Sequence, residues 1–393
     1  MKQYETYKDS GIEWLGKVPG HWEVMRLKDV FSGSGSGTTP TSGSSEFYTD
    51  NGTKWLQTGD LNDALITSTS KQVTDLALQS YSLPIYPTDS LVVAMYGATI
   101  GKLGILKIPC CTNQACCVLK KSDDFNTYFG YYFLLAAKQD LINQARGGGQ
   151  PNISQDTIRN YLLTVPPHSE QERIVEYLDA KCGDIDNRIV VLEKEQKAYE
   201  RLKVAVINRA VTEGLDPETP KRDSGLDWLG MIPEHWEVKR LKDLAYLITK
   251  SSENEFKVGL ENIESGTGKY ISTDTEFDGN GIEFHQGDIV YGKLRPYLKK
   301  VWLADRCGNA IGDFFVLRNI DDYYNTFLWY LMLSDAFTHD VNSSTFGAKM
   351  PRVSPSYILS MGMPVPPLSE QKAIVEYLDT KCAAIDAKIG NIA

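Results

Sequence analysis

Two segments of this chain each occur twice, and the repeat limits the possible folds more than any other feature of the sequence. Residues 9–29 and 223–243 are identical at 15 of 21 positions, and residues 165–186 and 365–386 at 16 of 22. Two segments that recur in the same order, here at offsets of 214 and 200 positions, mark repeated structural units. The sequence therefore predicts two tandem copies of one unit, with the second starting near residue 223.

The segments between the repeats, 30–164 and 244–364, look largely unlike each other in sequence. A constant frame around two divergent inserts predicts a shared scaffold with two different recognition tasks. Short apolar runs bounded by turn residues predict strands, and two aromatic-rich stretches predict helices. The predicted strands are Leu91–Met95, Cys116–Leu119, Asp288–Tyr291 and Phe314–Leu317, the predicted helices are Tyr128–Gln144 and Asn325–Val341, and Ser32–Ser45 is predicted to be a flexible surface loop.

The repeated segment that begins at Val165 carries a helix-start pattern, because Ser169 and Glu170 follow two prolines. Apolar residues then alternate at spacings of three and four, which is typical of a coiled-coil seam. A helix over 169–213 would be about 67 Å long at ~1.5 Å per residue. The seam positions are Val175, Leu178, Cys182, Ile185, Ile189, Leu192, Gln196, Tyr199, Lys203, Val206 and Ala210 in the first copy, and Val375, Leu378, Cys382, Ile385, Ile389 and Ile392 in the second.

One seam alone could equally belong to a helix buried in a globular core. Its recurrence in both copies favours pairing of the two helices, and antiparallel pairing would give the chain an internal pseudo-two-fold axis. The predicted domains are a first recognition domain at 1–164 (frame 1–29, insert 30–164), a central helix and linker at 165–222, a second recognition domain at 223–364 (frame 223–243, insert 244–364) and a shorter C-terminal helix at 365–393.

Composition excludes several classes of protein. With 42% hydrophobic and 23% charged residues, the chain has the make-up of a globular protein rather than a disordered or collagen-like one. No apolar run reaches the ~18–20 residues that span a bilayer, and the first residues lead into no apolar signal core. Seven cysteines without a disulfide-framework spacing predict reduced thiols in a cytoplasmic protein.

Motifs for catalysis or metal binding are weak. Gly97–Lys102 ends in Gly-Lys but lacks the rest of a phosphate-binding loop, and no methyltransferase motif is present. Four thiols at Cys110, Cys111, Cys116 and Cys117 leave two interpretations, a metal site or, favoured here, a buried strand. The five histidines are scattered, so the sequence predicts no metal site and no catalytic residue.

The two frames, with their DSGIEWLG…HWEV and VPPxSEQxxIVEYLD motifs, resemble those of the specificity subunit of Type I restriction–modification systems. Gly37–Pro40 and Trp55–Asp60 are similar to two further motifs of that family, and Tyr291–Leu298 is similar to its Lys-x-Arg-Pro-Tyr segment. The resemblance covers essentially the whole chain. It departs from the family at the second helix, which is shorter than usual and leaves half a seam that a second chain could cover.

This resemblance implies an α+β fold, in which two mixed α/β target-recognition domains in tandem are separated and joined by long helices in an antiparallel coiled coil. It implies that each domain reads one half of a bipartite, asymmetric site in double-stranded DNA. The helices would set the spacing of the halves and dock two methyltransferase subunits, and restriction subunits would complete the complex. The chain itself would catalyse nothing and hold no cofactor, since S-adenosylmethionine belongs to the methyltransferase. The alternatives are a coiled-coil scaffold without a DNA role and a truncated, inactive subunit that dimerises through its exposed helix.

Candidate DNA-contacting residues are polar or cationic side chains on predicted loops, because such groups pair with base edges in the major groove. Two clusters, at 146–152 and 293–300, could instead be an ordinary helix-ending loop and a solvated charged hairpin. The candidates are Thr38, Thr39, Lys54, Gln57, Lys102, Arg146, Gln150 and Asn152 in the first insert, and Lys293, Arg295, Tyr297, Lys299, Lys300, Lys349 and Arg352 in the second.

Net charge opposes this assignment, because the chain carries −10 overall. Neutralisation of phosphates supplies most of the non-specific affinity for DNA. We therefore expect the isolated chain to bind DNA weakly and the methyltransferase subunits to supply much of the grip on the backbone.

Overall fold

The computed structural model describes residues 4–145, 151–320, 323–347 and 349–392. The chain divides into two compact units, Met1–Asn187 and Arg188–Ala393, and the division lies within the longest helix. Among the described residues, no helix has both the length and the apolar content needed to cross a membrane.

The first unit contains a five-stranded sheet of order β4-β11-β8-β9-β6 and a three-stranded sheet of order β10-β5-β7, with two two-stranded ladders, β1-β2 and β12-β3. Its elements are β1 (Tyr7–Asp9), β2 (Lys17–Pro19), β3 (Glu23–Arg26), α1 (Leu27–Val30), β4 (Gly33–Gly35), β5 (Tyr48–Leu56), β6 (Ala64–Ile66), β7 (Lys71–Val73), α2 (Asp75–Ser80), β8 (Leu91–Ala94), β9 (Leu103–Leu106), β10 (Cys111–Thr112), β11 (Cys116–Lys120), α3 (Thr127–Ala136), α4 (Lys138–Asn143), α5 (Gln155–Asn160), β12 (Leu162–Val165) and the start of α6 (His168–Glu213).

The second unit contains two four-stranded sheets, of order β16-β23-β20-β21 and β17-β19-β22-β18, and the ladders β13-β14 and β15-β24. After the end of α6, its elements are β13 (Lys221–Asp223), β14 (Met231–Pro233), β15 (Glu237–Arg240), β16 (Ala245–Ile248), β17 (Ser251–Ser252), β18 (Lys257–Val258), β19 (Gly281–Phe284), β20 (Ile289–Gly292), β21 (Val301–Leu303), β22 (Gly308–Ala310), β23 (Phe314–Asn319), α7 (Asn325–Leu333), α8 (Asp335–Ser343), α9 (Pro355–Ser360), β24 (Gly362–Val365) and α10 (Leu368–Ile392).

The two inserts share the order of four strands in one sheet despite their different sequences. In the first unit β11 lies between β4 and β8, with β9 beyond β8, and in the second β23 lies between β16 and β20, with β21 beyond β20. Each unit also has a short parallel pair, β5 with β10 and β18 with β22. The strand order β4-β11-β8-β9 is therefore built twice, as β16-β23-β20-β21.

The four predicted strands are confirmed to within one or two residues. The two predicted aromatic helices are wrong in their continuity, because each is two helices. Ser334 has an extended ψ of 151° and its hydroxyl accepts the Phe337 N–H, so it ends α7 and caps α8. Ala137, with ψ of 0° and no side-chain cap, separates α3 from α4.

The glycine-rich stretch predicted to be a loop contains a strand, β4, paired with β11. Its glycines meet close neighbours: a Cβ on Gly35 would lie 2.5 Å from the Tyr86 hydroxyl, and a Cβ on Gly37 would lie 1.7 Å from the Thr112 carbonyl oxygen. The sequence signal for flexibility is here a requirement for close backbone approach.

The two repeated segments of each frame are neighbours in space. Strand β3 pairs with β12 in the first unit, and β15 pairs with β24 in the second. At each helix start a buried glutamine forms two hydrogen bonds: Gln171 donates to the Pro166 carbonyl (2.8 Å) and accepts from the Asn126 N–H (2.9 Å). Gln371 does the same with Pro366 (2.8 Å) and Tyr324 (2.8 Å). The Ser-Glu-Gln motif thus fixes the long helix against its insert.

The predicted long helix is confirmed and begins one residue earlier, at His168. In the second unit its C-terminal part contacts α10. Lys203 Nζ lies 2.7 Å from Asp386 Oδ1, and Lys388 Nζ lies 3.4 Å from the Tyr199 hydroxyl. Since residue numbers fall on one helix as they rise on the other, these segments run antiparallel.

Burial of the predicted seam residues varies along the two helices. The buried seam residues are Val175, Ala210, Val375, Leu378, Cys382 and Ile385, whereas Cys182, Ile185 and Ile189 are exposed. The half-buried seam residues are Leu178, Leu192, Gln196, Tyr199, Lys203, Val206, Ile389 and Ile392.

Candidate nucleic-acid interface

Two hairpin turns, 95–102 between β8 and β9 and 293–300 between β20 and β21, have matching backbone hydrogen bonds. The Met95 N–H donates to the Ala115 carbonyl (2.8 Å), as the Lys293 N–H donates to the Asp313 carbonyl (2.9 Å). A bridge joins Tyr96 to Asn152 in the first turn. The equivalent β-bridge of the second turn joins Leu294 to Arg352, about 198 positions later in the sequence.

Both turns place two residues in the left-handed region. In the first these are Gly97 (φ 84°) and Gly101 (φ 75°), and in the second Arg295 (φ 51°) and Lys299 (φ 48°). Glycine adopts this conformation without strain, whereas an L-residue with a side chain does so at a cost. One backbone shape is therefore kept with glycines in one unit and with two cations in the other.

The equivalent turns also differ in charge. Met95, Ala115 and Asn152 are uncharged in the first unit, and their counterparts Lys293, Asp313 and Arg352 are all charged. Arg352 donates to both carboxylate oxygens of Asp313, at 3.1 and 2.8 Å, and Lys293 Nζ lies 3.8 Å from the same group. The hydrogen bonds from Arg352 hold the pKa of Asp313 below its usual range. The carboxylate is therefore ionised at neutral pH and fixes Arg352 beside the turn.

An exposed group of side chains surrounds the second turn. We call Arg295, Tyr297, Phe346, Lys349 and Met350 the turn surface. Backbone contacts bring them together, since the Arg295 N–H donates to the Pro351 carbonyl (2.7 Å) and Phe346 pairs with Arg352. Tyr297 is 51% exposed, Phe346 60% and Met350 45%. Aromatic, apolar and cationic groups on one exposed surface are suited to contacts with bases and phosphates.

Two predicted contact residues of the second unit use their ammonium groups internally. The Lys299 side chain is 14% exposed, and its Nζ donates to the Leu333 carbonyl (3.0 Å) and pairs with Asp335. Lys300 Nζ donates to the Leu260 and Ile263 carbonyls, at 2.6 and 2.9 Å. Both cations hold the turn onto neighbouring segments.

In the first unit, the segment 112–115 contacts the two segments that carry three of the candidates. The Gly37 N–H donates to the Asn113 carbonyl, Thr39 donates to the Gln114 side chain, and the Asn113 N–H donates to the Leu56 carbonyl. Thr38, Thr39 and Gln57 are thereby grouped near the 95–102 turn and Asn152.

Of the remaining candidates of the first unit, Lys102 is the last residue of the 95–102 turn, and Lys54 lies in β5 beside Cys111. Lys102 Nζ donates to Asn62 Oδ1 (3.3 Å), and the Lys54 carbonyl accepts from the Cys111 thiol. Arg146 and Gln150 lie outside the described residues. Sequence reasoning missed Gln114, which accepts from Thr39, and Asp313, which binds Arg352. It also missed the exposed Phe346 and Met350.

The four clustered thiols, Cys110, Cys111, Cys116 and Cys117, are buried. Burial raises the pKa of Cys110 and of Cys111 to about 12, so both are protonated at neutral pH. A protonated thiol is a poor metal ligand and a poor nucleophile. Across the ranges that the structure describes, no group of three or more His, Cys, Asp or Glu side chains is arranged to hold a metal ion.

Comparison with known proteins gives a consistent result. A family model described as "Type I restriction modification DNA specificity domain" matches residues 19–198 and 233–391. The Type I restriction enzyme EcoDI specificity subunit of Escherichia coli is 26% identical over 66% of this chain and 64% of its own length, so the chain spans just under two thirds of that relative. The MjaVIII specificity subunit of Methanocaldococcus jannaschii is 24% identical over 98% of this chain and 92% of its own length.

Two solved structures are similar over almost the whole chain. The HsdS subunit from Thermoanaerobacter tengcongensis has a TM-score of 0.59 at 16% identity and covers 97% of this chain and 94% of its own. A chain from a study of the complex assembly and conformational transition of the type I R-M system has a TM-score of 0.69 at 16% identity, with 95% and 94% covered. These likenesses show a shared mixed α/β fold.

Proposed function

The chain belongs to the Type I restriction modification DNA specificity family, and we propose that it is the subunit that selects the DNA sequence in such a complex. Each insert reads one half of a bipartite, asymmetric site in double-stranded DNA. The observation that carries this proposal is the pair of congruent turns, 95–102 and 293–300, with different side chains. One scaffold carrying two sets of polar groups is suited to reading two different base sequences.

The long helices serve as spacer and docking site in this proposal. Helices α6 and α10 form an antiparallel coiled coil around a pseudo-two-fold axis, which sets the distance between the two half-sites. The Lys203–Asp386 pair supports this arrangement, since a polar pair at a seam position fixes register. Exposed apolar residues on α6, among them Ile185, Ile189 and Val191, offer a surface for two methyltransferase subunits.

The chain contributes recognition and no chemistry of its own. The methyltransferase subunits supply S-adenosylmethionine and the methyl-transfer site, and restriction subunits complete the nuclease. The complex acts on DNA in the cytoplasm. Buried, protonated thiols and the absence of a methyltransferase motif in the sequence support a non-catalytic role.

The test is to co-express the full chain with the methyltransferase subunit of the same system and to map methylated adenines across the host genome. We expect one split, asymmetric motif. Replacing residues 244–364 with the corresponding insert of a relative should change one half of the motif and leave the other intact. A continuous motif, or a change in both halves, would contradict the proposal.

A further inference from the structure

We propose that Arg295 recognises a guanine in the half-site read by the second insert. This inference rests on the proposed function and adds a specificity-determining residue to it. It follows from three properties of this arginine: its backbone conformation, its exposure and its difference from the equivalent residue of the first unit.

The backbone conformation shows that something other than the fold selects an arginine here. The first unit builds the same turn with Gly97, and the bond from the Leu298 N–H to the Arg295 carbonyl (2.9 Å) has its counterpart from Ile100 to Gly97 (3.2 Å). Glycine would therefore serve the turn at lower strain. Non-glycine residues in this region concentrate at functional sites, where the side chain is needed.

The other strained residue of the turn provides a comparison. Lys299 has the same left-handed conformation, and its ammonium group binds the Leu333 carbonyl and Asp335 within the unit. Arg295 has an exposed side chain, and no ion pair to it occurs within the described parts of the chain. The nearby carboxylate, Asp313, is already engaged by Arg352 and Lys293. The guanidinium of Arg295 is thus left for a ligand outside the protein.

The backbone that carries this guanidinium is held in place by its neighbours. The Arg295 N–H is bonded to the Pro351 carbonyl, Pro296 follows it with a fixed φ, and the Arg352–Asp313 pair holds the adjoining strand. A planar, fork-shaped donor at the tip of a rigid turn matches the O6 and N7 acceptors of guanine in the major groove.

A phosphate contact is the competing explanation for an exposed arginine. Phosphates are the same at every base pair, so both inserts would need an equivalent cation at this place in the turn. The first insert has Gly97 at this place. The residue at this place in the turn therefore differs between two inserts that read different base sequences. This difference favours a base contact over a backbone contact.

The experiment compares three variants with the wild-type chain, each co-expressed in full with the methyltransferase subunit, by mapping methylated adenines. Arg295→Gly reproduces the first unit's residue and keeps the turn. Arg295→Lys keeps the charge and loses the two-pronged donor. Arg306→Ala is the control, because Arg306 is an exposed arginine of the same unit that pairs with Asp305.

We expect Arg295→Gly and Arg295→Lys to relax one guanine position in one half-site, with discrimination against the other bases falling about tenfold or more. The other half-site and the Arg306→Ala motif should match the wild type. An unchanged motif in both Arg295 variants would overturn the inference. A second result would also overturn it: Arg295→Gly lowers methylation equally at all sites, and Arg295→Lys restores the wild-type level. A phosphate contact would produce that pattern.

The wild-type map separates this inference from the proposal beneath it. If the wild-type complex produces a split motif and the Arg295 variants produce the same one, only the role of Arg295 is wrong. If the wild-type complex methylates without a split motif, the proposed function fails and the inference falls with it.

Discussion

Arg295 combines an exposed cation with a left-handed backbone, and the two properties can be measured separately. Replacing it with glycine removes the clash between Cβ and the following carbonyl, and this gain outweighs the added freedom of the unfolded chain. We predict that Arg295→Gly stabilises the second unit by about 1 kcal/mol, as read from urea unfolding. Arg295→Ala, which keeps the Cβ, is the matched control and should show no such gain. A less stable glycine variant would mean that the guanidinium makes a stabilising contact within the protein.

Asp313 should make part of the second unit's stability depend on pH. The hydrogen bonds from Arg352 lower its pKa in the folded state, so its contribution is fully present above the unfolded pKa of about 4 and is lost as the pH falls through the folded value. We predict that Asp313→Asn is less stable than wild type at pH 7 and that the difference narrows below about pH 4. Urea unfolding across this range measures it, with Asp274→Asn, an exposed carboxylate, as control. A difference that stays constant with pH would show that the Arg352 interaction does not depend on ionisation.

At the scale of single elements, the start of each long helix depends on one buried glutamine. Gln371 is buried and joins the Pro366 carbonyl to the Tyr324 N–H, so alanine would remove the side-chain partner of both backbone groups. We predict that Gln371→Ala lowers the free energy of unfolding by about 2 kcal/mol, and that Gln171→Ala does the same in the first unit. Lys372→Ala, at the next and exposed position, should have little effect. Equal effects at positions 371 and 372 would argue against this role for the glutamine.

Elements with strong periodicity were predictable from the sequence, and contacts made by the backbone were not. The spacing from Val175 to Val206 predicted α6 because apolar residues repeat along it, and the run at Leu91 predicted β8. The structural similarity of the two inserts could not be predicted from the sequence. It consists of backbone hydrogen bonds, such as Met95 to Ala115 and Lys293 to Asp313, which any side chain permits. The internal partners of Lys299 and Lys300 were equally hidden, since they are carbonyls 34 to 40 positions distant.

At the scale of the whole molecule, charge and proposed task oppose each other. The chain carries −10, and the inserts carry −1 (30–164) and −4 (244–364). The cations of the second turn are largely paired within the unit, as Lys293 and Arg352 are with Asp313 and Lys299 with Asp335. A surface whose cations are paired with carboxylates can place a few hydrogen-bond donors at base edges. It has little net positive charge to attract the phosphate backbone from a distance. Recognition of the bases and binding of the phosphate backbone would then be properties of different subunits of the complex.

If phosphate contacts come mainly from other subunits, the full chain without its partners should bind DNA weakly. Because the chain carries a net charge of −10 and neutralisation of phosphates supplies the non-specific affinity, we expect a dissociation constant weaker than about 1 µM at roughly 0.15 M salt, with a shallow dependence on salt concentration. Adding the methyltransferase subunit should tighten binding and steepen the salt dependence. Fluorescence anisotropy with a labelled duplex containing the mapped site measures both quantities, and a duplex with one half-site scrambled is the control. Nanomolar binding by the chain alone that distinguishes these two duplexes would show that the inserts grip the backbone themselves, and the charge argument would then be wrong.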